Sequence, residues 1–301
     1  MTVPLFATPT YVGDPIDWSI SYLGVQGIYD RQVRTALIHA AVDAEKIILR
    51  IQNKQNISAK VQRSQINLVR RQLHALITGL FNTQVAPLIA AGKLVAVERA
   101  ARAGLRASAK FWEGIFPNPV ERKAFQSAFV LQACRNIDAM MTRVLGYSYV
   151  PLSKRVYKTT ALAKGMVDRV INSALARGAS AREIATEVKS LIRPNVPGGV
   201  SYAAMRLGRT EINNVFHAQS VADAQDSPWV DSMEWHLSAV HKPDPGDACE
   251  LYAEQVLFAK EAVPKKPHPN CRCYVVPHMI SWTEFNMNLV AGVYDFQRKA
   301  A

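Results

Sequence analysis

Arg193-Pro194-Asn195-Val196-Pro197-Gly198-Gly199 is the stretch on which the reading of this chain turns. Proline removes a backbone donor and biases the residue before it toward extended backbone, while paired glycines favour turns. With two prolines and two glycines in seven residues, no helix continues through it. We read 193–200 as a linker. Hydrophobic residues recur at helical spacing before it, and they alternate in several places after it.

Working backward, Ser180-Ala181-Arg182-Glu183 is a capping box that opens a short helix reaching about Leu191. Gly178-Ala179 stops the helix before it, expected over Thr160 to Arg177. Asn118-Pro119-Val120-Glu121 is another start signal, with Asn as cap and Pro at the first helical position, and predicts a helix to about Leu145. Earlier still, helices are expected from about Ser58 to Leu80 and from about Pro87 to Trp112, with Gly114 ending the run. From Asp30 onward, Val33, Leu37, Ala40, Ala41, Ala44, Ile47, Ile48 and Ile51 share one helical face. Residues 1–25, rich in Pro, Gly and aromatics, read as an extended arm.

Forward of the linker, Ser201 to Ala224 reads as one more helix. Ser232 to Leu237 and Cys273 to Val276 have strand-like alternation, with a loop rich in Pro, Asp, His and Cys between them. The expected fold is mainly α. A long helical region (26–192) precedes a small α+β domain (201–280) with a Cys/His-rich loop, and a tail (281–301) holds a short strand or helix.

Hydrophobic residues make up 49% of the 301 residues and charged ones only 20%, which excludes a disordered chain. The net charge of +12 is unevenly placed: residues 1–225 carry +15 and residues 226–301 carry −3. Such a surplus attracts nucleic acid without reading its sequence, or an acidic protein surface. Ala75 to Gly92 has no charge over 18 residues, but Asn82, Thr83, Gln84 and Pro87 interrupt it. A buried helix pair or helix–turn is expected there and no membrane span. Met1 to Pro15 lacks the basic start and apolar run of a signal peptide, which points to synthesis in a reducing cytoplasm.

Of the four cysteines, Cys134 lies in a helical pattern and reads as a buried thiol. Cys249, Cys271 and Cys273 fall within 25 residues, a local site rather than a disulfide framework. Zinc takes four thiolate or imidazole ligands, and Cys249, His268, Cys271 and Cys273 supply such a set, with His241 or Asp247 as alternates. The competing readings are a hydrogen-bonded loop without metal, or a disulfide through Cys249. Neither an H-E-x-x-H helix nor an H-x-E with a following P-C-x-x-C occurs, so no catalytic residue is assigned.

The order of these features resembles the phage Mu F-like head morphogenesis family of minor head proteins. The resemblance rests on Arg209-Thr210-Glu211, then Asn214 and His217, then Trp235, then Asp247-Ala248-Cys249, and finally His268-Pro269-Asn270-Cys271-Arg272-Cys273. It covers about Ser201 to Pro277. Many relatives have a second Cys in a C-x-x-C arrangement where this chain has only Cys249.

The resemblance implies a structural, non-enzymatic virion protein. It would be made in the host bacterial cytoplasm and built into the phage head near the portal vertex, in multiple copies. Its partners would be the portal protein or the major capsid protein, and its role head assembly and DNA packaging or delivery. The alternatives are a virion-carried, metal-dependent DNA-processing enzyme and a non-specific DNA-binding protein. The residues themselves suggest that Arg209 and Glu211, two apart on a helix, tie that helix to the Cys/His loop; that Trp235 is core; and that Arg272 pairs with Asp244, Asp247 or a phosphate.

Overall fold

The computed structural model describes residues 18–50, 59–194, 198–239, 241, 244 and 246–293. Most of the expected arm, the middle of the linker, Ile51 and the end of the tail lie outside the described residues.

The chain is mainly α-helical with a small antiparallel sheet near the C-terminus, as the sequence predicts. In order come α1 (Trp18–Leu49), α2 (Ala59–Gly79), a π-helical turn (Leu80–Val85), α3 (Ala86–Ala107), α4 (Ala109–Ile115), α5 (Pro119–Arg135) and α6 (Ile137–Leu145). Then follow α7 (Leu152–Ala176), α8 (Ala181–Ile192), α9 (Val200–Asp226), β1 (Val230–His236), α10 (Ala248–Gln255), β2 (Leu257–Ala259), β3 (Tyr274–Met279) and α11 (Trp282–Val290).

These elements form two compact units, each drawn from several stretches of chain. One comprises residues 26–92 and 150–211, and the other residues 1–25, 93–149 and 212–301. The sequence reading divides the chain in linear order at 193–200, whereas the units interleave. Helix α9 itself passes from one to the other at Glu211–Ile212.

In the 26–92/150–211 unit, α1 buries Val33, Leu37, Ala40, Ala41, Ala44 and Ile48 along the expected face. Helix α7 buries Val156, Thr160, Ala163, Val167, Ile171 and Ala174, a continuous stripe at steps of three and four. It packs against α2 and α8. Ser180 caps α8 as expected: its Oγ accepts from Glu183 N at 3.3 Å, and Glu183 Oε2 accepts from Ser180 N at 2.6 Å. Tyr29 lies so close to α9 that a Cβ at Gly208 would sit 1.9 Å from its ring. Its hydroxyl donates to Ala204 O at 2.9 Å.

Four boundaries differ from expectation. Residues 18–25 belong to α1 and not to an extended arm. Helix α7 starts eight residues before Thr160, at Leu152. The expected turn within Ala75–Gly92 is a π-helical stretch, so the chain stays helical through it. Pro87 is the second residue of α3, directly after the π-helical stretch. The helix opened by Asn118 breaks at Asn136. By length and composition Ser64–Ala107 passes the test for crossing a membrane, yet 44% of its most apolar window is buried inside the protein.

In the other unit the sheet order is β2-β1-β3, antiparallel throughout. The expected strands are β1 and β3, with Trp235 opposite Val275 and Met233 opposite Pro277. Met233, Trp235 and Val275 face a core completed by Phe111, Trp229, Phe258 and Phe285. The helical run ends at Ile115, one residue past Gly114, and Gly114 is also a contact: a Cβ there would lie 1.9 Å from the Trp282 ring of α11.

Candidate metal centre

The loop between β1 and β3 is tied at both ends by the strand pairing, and it folds back on itself around α10. Asp247 caps α10, its Oδ1 accepting from Cys249 N at 3.0 Å, which places Cys249 in the first turn. Ahead of β3 the chain makes a tight turn at His268-Pro269-Asn270, closed by Cys271 N donating to His268 O at 3.3 Å. Asn270 adopts a φ of 63°, a left-handed backbone that Asn tolerates better than most residues. Cys271 and Cys273 follow directly.

These local folds bring five ligand side chains together. Cys249 Sγ lies 3.4 Å from Cys271 Sγ and 3.4 Å from His268 Nε2. Cys273 Sγ lies 3.8 Å from His241 Nδ1. Cys249 is shared between two groups, His241/Cys249/Cys273 and Cys249/His268/Cys271, each with its ligand atoms within 4.8 Å of one another. Three of the expected ligands, Cys249, His268 and Cys271, thus share one group, while Cys273 joins Cys249 in the other group with the alternate His241. Asp247, the other alternate, stands behind His268 with Oδ2 at 3.2 Å from Nε2. All three thiols are free and buried, which is compatible with a metal site.

The surrounding groups orient the ligands. His241 Nε2 lies 2.8 Å from Glu250 Oε1, which leaves Nδ1 directed at the thiols. Such a carboxylate behind an imidazole is the usual outer partner of a metal-bound histidine. His268 Nδ1 lies 3.0 Å from Pro269 O. The two imidazoles differ in exposure, the His241 side chain at 10% and that of His268 at 40%. Hydrogen bonds from Cys249 and Cys273 pull the Cys271 thiol far below the ordinary range, and the Lys266 ammonium adds to this. The donating partner, Cys249, is pushed up. Burial lowers the Lys266 pKa, and the three neighbouring thiols oppose that shift. Its ammonium also lies 5.6 Å from the centroid of the Trp235 ring.

The residues that hold the loop to α9 are not those expected. Arg209 turns away from the loop and forms a two-bonded pair with Asp30 of α1, Nε to Oδ1 at 3.0 Å and Nη2 to Oδ2 at 2.5 Å. Glu211 pairs with Arg155 of α7 at 3.2 Å. The hydroxyl of Thr210 donates to Arg206 O within the helix. Asn213 and His217, further along the same helix, face the loop instead. Asn213 Nδ2 donates to Cys271 O at 2.5 Å, and His217 Nε2 donates to Pro264 O at 3.1 Å. Burial pushes His217 down to about 3, so it is neutral, with its one ring proton on Nε2 facing Pro264 O. Its ring meets Trp235 edge-on at 5.8 Å, and Trp235 is core as expected. Glu250, Lys266 and Asn213 were not singled out by sequence. Their signal was present only as proximity to the Cys/His string or as a polar position on a helix.

The class defined by this arrangement is a small α+β unit closed by a Cys/His cluster. No protein-family model matches the chain, and no curated protein and no solved structure is detectably similar to it.

Proposed function

We propose that this chain is a structural minor head protein of a tailed bacteriophage whose Cys/His loop is closed by zinc. The observation that carries the reading is the meeting of Cys249 with the His268–Cys273 string, the two parts of the family-like motif furthest apart in the loop. In a tetrahedral zinc site, with metal–ligand bonds of about 2.0–2.3 Å, ligand atoms are about 3.5–3.8 Å apart. The separations of 3.4 Å between Cys249 Sγ and Cys271 Sγ and 3.8 Å between Cys273 Sγ and His241 Nδ1 lie close to that range. Three thiolates and one imidazole make a closed set of four, the pattern of zinc that staples a fold. The bound ion would supply folding energy and fix the loop, and Lys266 would offset the extra negative charge of three thiolates. The support for a head protein is the ordered motif from Arg209 to Cys273, and for contact with packaged DNA the surplus of +15 over residues 1–225.

Two measurements test the two halves. Fractionation of purified particles with copy counting should find the chain in heads, enriched with the portal or capsid protein. Its absence from mature and immature heads alike would end this reading. Metal analysis of the purified chain should give one zinc per chain, lost in Cys271→Ser. A metal content unaffected by that change would remove zinc from the proposal. If the basic region meets DNA, affinity for double-stranded DNA should fall steeply, by roughly tenfold or more between 50 and 200 mM salt.

A further inference from the structure

The same unit contains a second recess, lined by other residues than the Cys/His cluster. Between α3, α4 and α5 on one side and the end of α9 with β1 and β3 on the other lies a cavity of about 550 Å³. Trp112, Phe125, Phe129, Trp229 and Met279 give it aromatic and apolar walls. The charged residues in its lining are Asp223 and Asp226, both acidic. Asp226 already meets Arg143 through two hydrogen bonds at 3.0 and 3.2 Å. Asp223 accepts from Gln219 Nε2 at 2.6 Å on Oδ1, whereas its Oδ2 is shielded from solvent and meets no donor. A Cβ at Gly104 would lie 3.5 Å from that oxygen, in ordinary contact, so α3 passes close beside it. The indole N–H of Trp229 is likewise buried without an acceptor.

Nearly every buried polar group in a folded protein finds a partner, so one unmet acceptor and one unmet donor on a single cavity call for a cause. Burial also raises the Asp223 carboxyl to about 8, and a strongly shifted acid on an apolar recess is a mark of binding sites. We propose that the cavity receives an arginine or lysine side chain of a partner polypeptide, its cation meeting Asp223 and its aliphatic stem lying on the aromatic walls. Aromatic faces and a carboxylate together select cations, whose entry would release the proton that burial holds on Asp223, and no basic residue of the lining would hold an anion. A peptide suits the site better than a free amine, because the Trp229 N–H needs an acceptor that a backbone carbonyl supplies and an alkylammonium lacks. This inference does not depend on zinc or on a place in a phage head.

The test is a titration of the full, metal-loaded chain with acetyl-Gly-Arg-Gly-amide, read from the Trp229 indole N–H resonance and by calorimetry. Saturable binding is expected, weakened about tenfold or more by Asp223→Asn, a near-isosteric change that a thermal melt should show to be folded. The same loss is expected when citrulline, neutral and of equal shape, replaces arginine in the peptide. Equal binding by the Asp223→Asn protein, equal binding of the citrulline peptide, or no binding at all would overturn the proposal. Equal binding of n-butylammonium would hand the cavity to free amines and overturn it as a peptide site.

Discussion

Asp223 holds its proton more tightly in the folded chain than an unfolded Asp does, because burial raises it to about 8 while the free side chain titrates near about 3.9. Between those values the folded state carries a proton that the unfolded state has lost, so stability falls as pH rises. His217 acts in the opposite sense. Its folded value of about 3 lies below the unfolded value near about 6.5, so stability is lost as pH falls through that range. The two oppose one another in mild acid, and above about pH 6.5 the Asp223 effect stands alone. Urea unfolding at pH 6.5 and 8 should therefore show Asp223→Asn more stable than wild type, with a gap that widens by up to about 1.4 kcal/mol per pH unit. A gap that narrows toward pH 8 contradicts the assignment. Asn213 offers a second test at this scale. Replacing it by Ala strands Cys271 O inside the protein and should cost about 1–3 kcal/mol, read by the same unfolding experiment.

At the scale of elements, α9 shows what a sequence discloses and what it withholds. Its extent was legible from spacing, and so was the importance of its polar residues. Which neighbour each polar residue meets was not: Arg209 and Glu211 look toward α1 and α7, while Asn213 and His217 look toward the loop. Residues two apart on a helix diverge by about 200°, and only the packed structure says which direction is which. Capping boxes are local, and the one at Ser180 was read correctly. Strand β2 was missed because three residues carry no periodicity and are defined by pairing with β1. The π-helical turn was missed because its wider bonding leaves no composition signature. The Cys/His cluster was legible as residue types, although the equal standing of His241 beside His268 was not. Gly208 carries the prediction here: Gly208→Ala drives a Cβ into the buried Tyr29 ring and should destabilise the protein by about 1–3 kcal/mol or more, despite the better helix propensity of Ala. A thermal shift near zero would mean that α1 and α9 adjust freely.

For the whole molecule, the interleaving of the two units matters more than the linker that announces a division. The 26–92/150–211 unit closes with Glu211, whereas the other needs residues 93–149 together with everything from Ile212 onward. A chain ending at Asp226 should keep amide protection in α2, α7 and α8 and lose it in α4, α5 and α6, as hydrogen exchange would show. Uniform loss would mean that the units do not fold separately. The same layout orders events on the ribosome. Helices α4 to α6 emerge early and must wait, with aromatic side chains unburied, until Trp229, the sheet and α11 arrive. Cys271 and Cys273 emerge only just before β3, so capture of a metal by this loop would come long after α4 to α6 have left the ribosome, and would close the half-built unit around helices already waiting there.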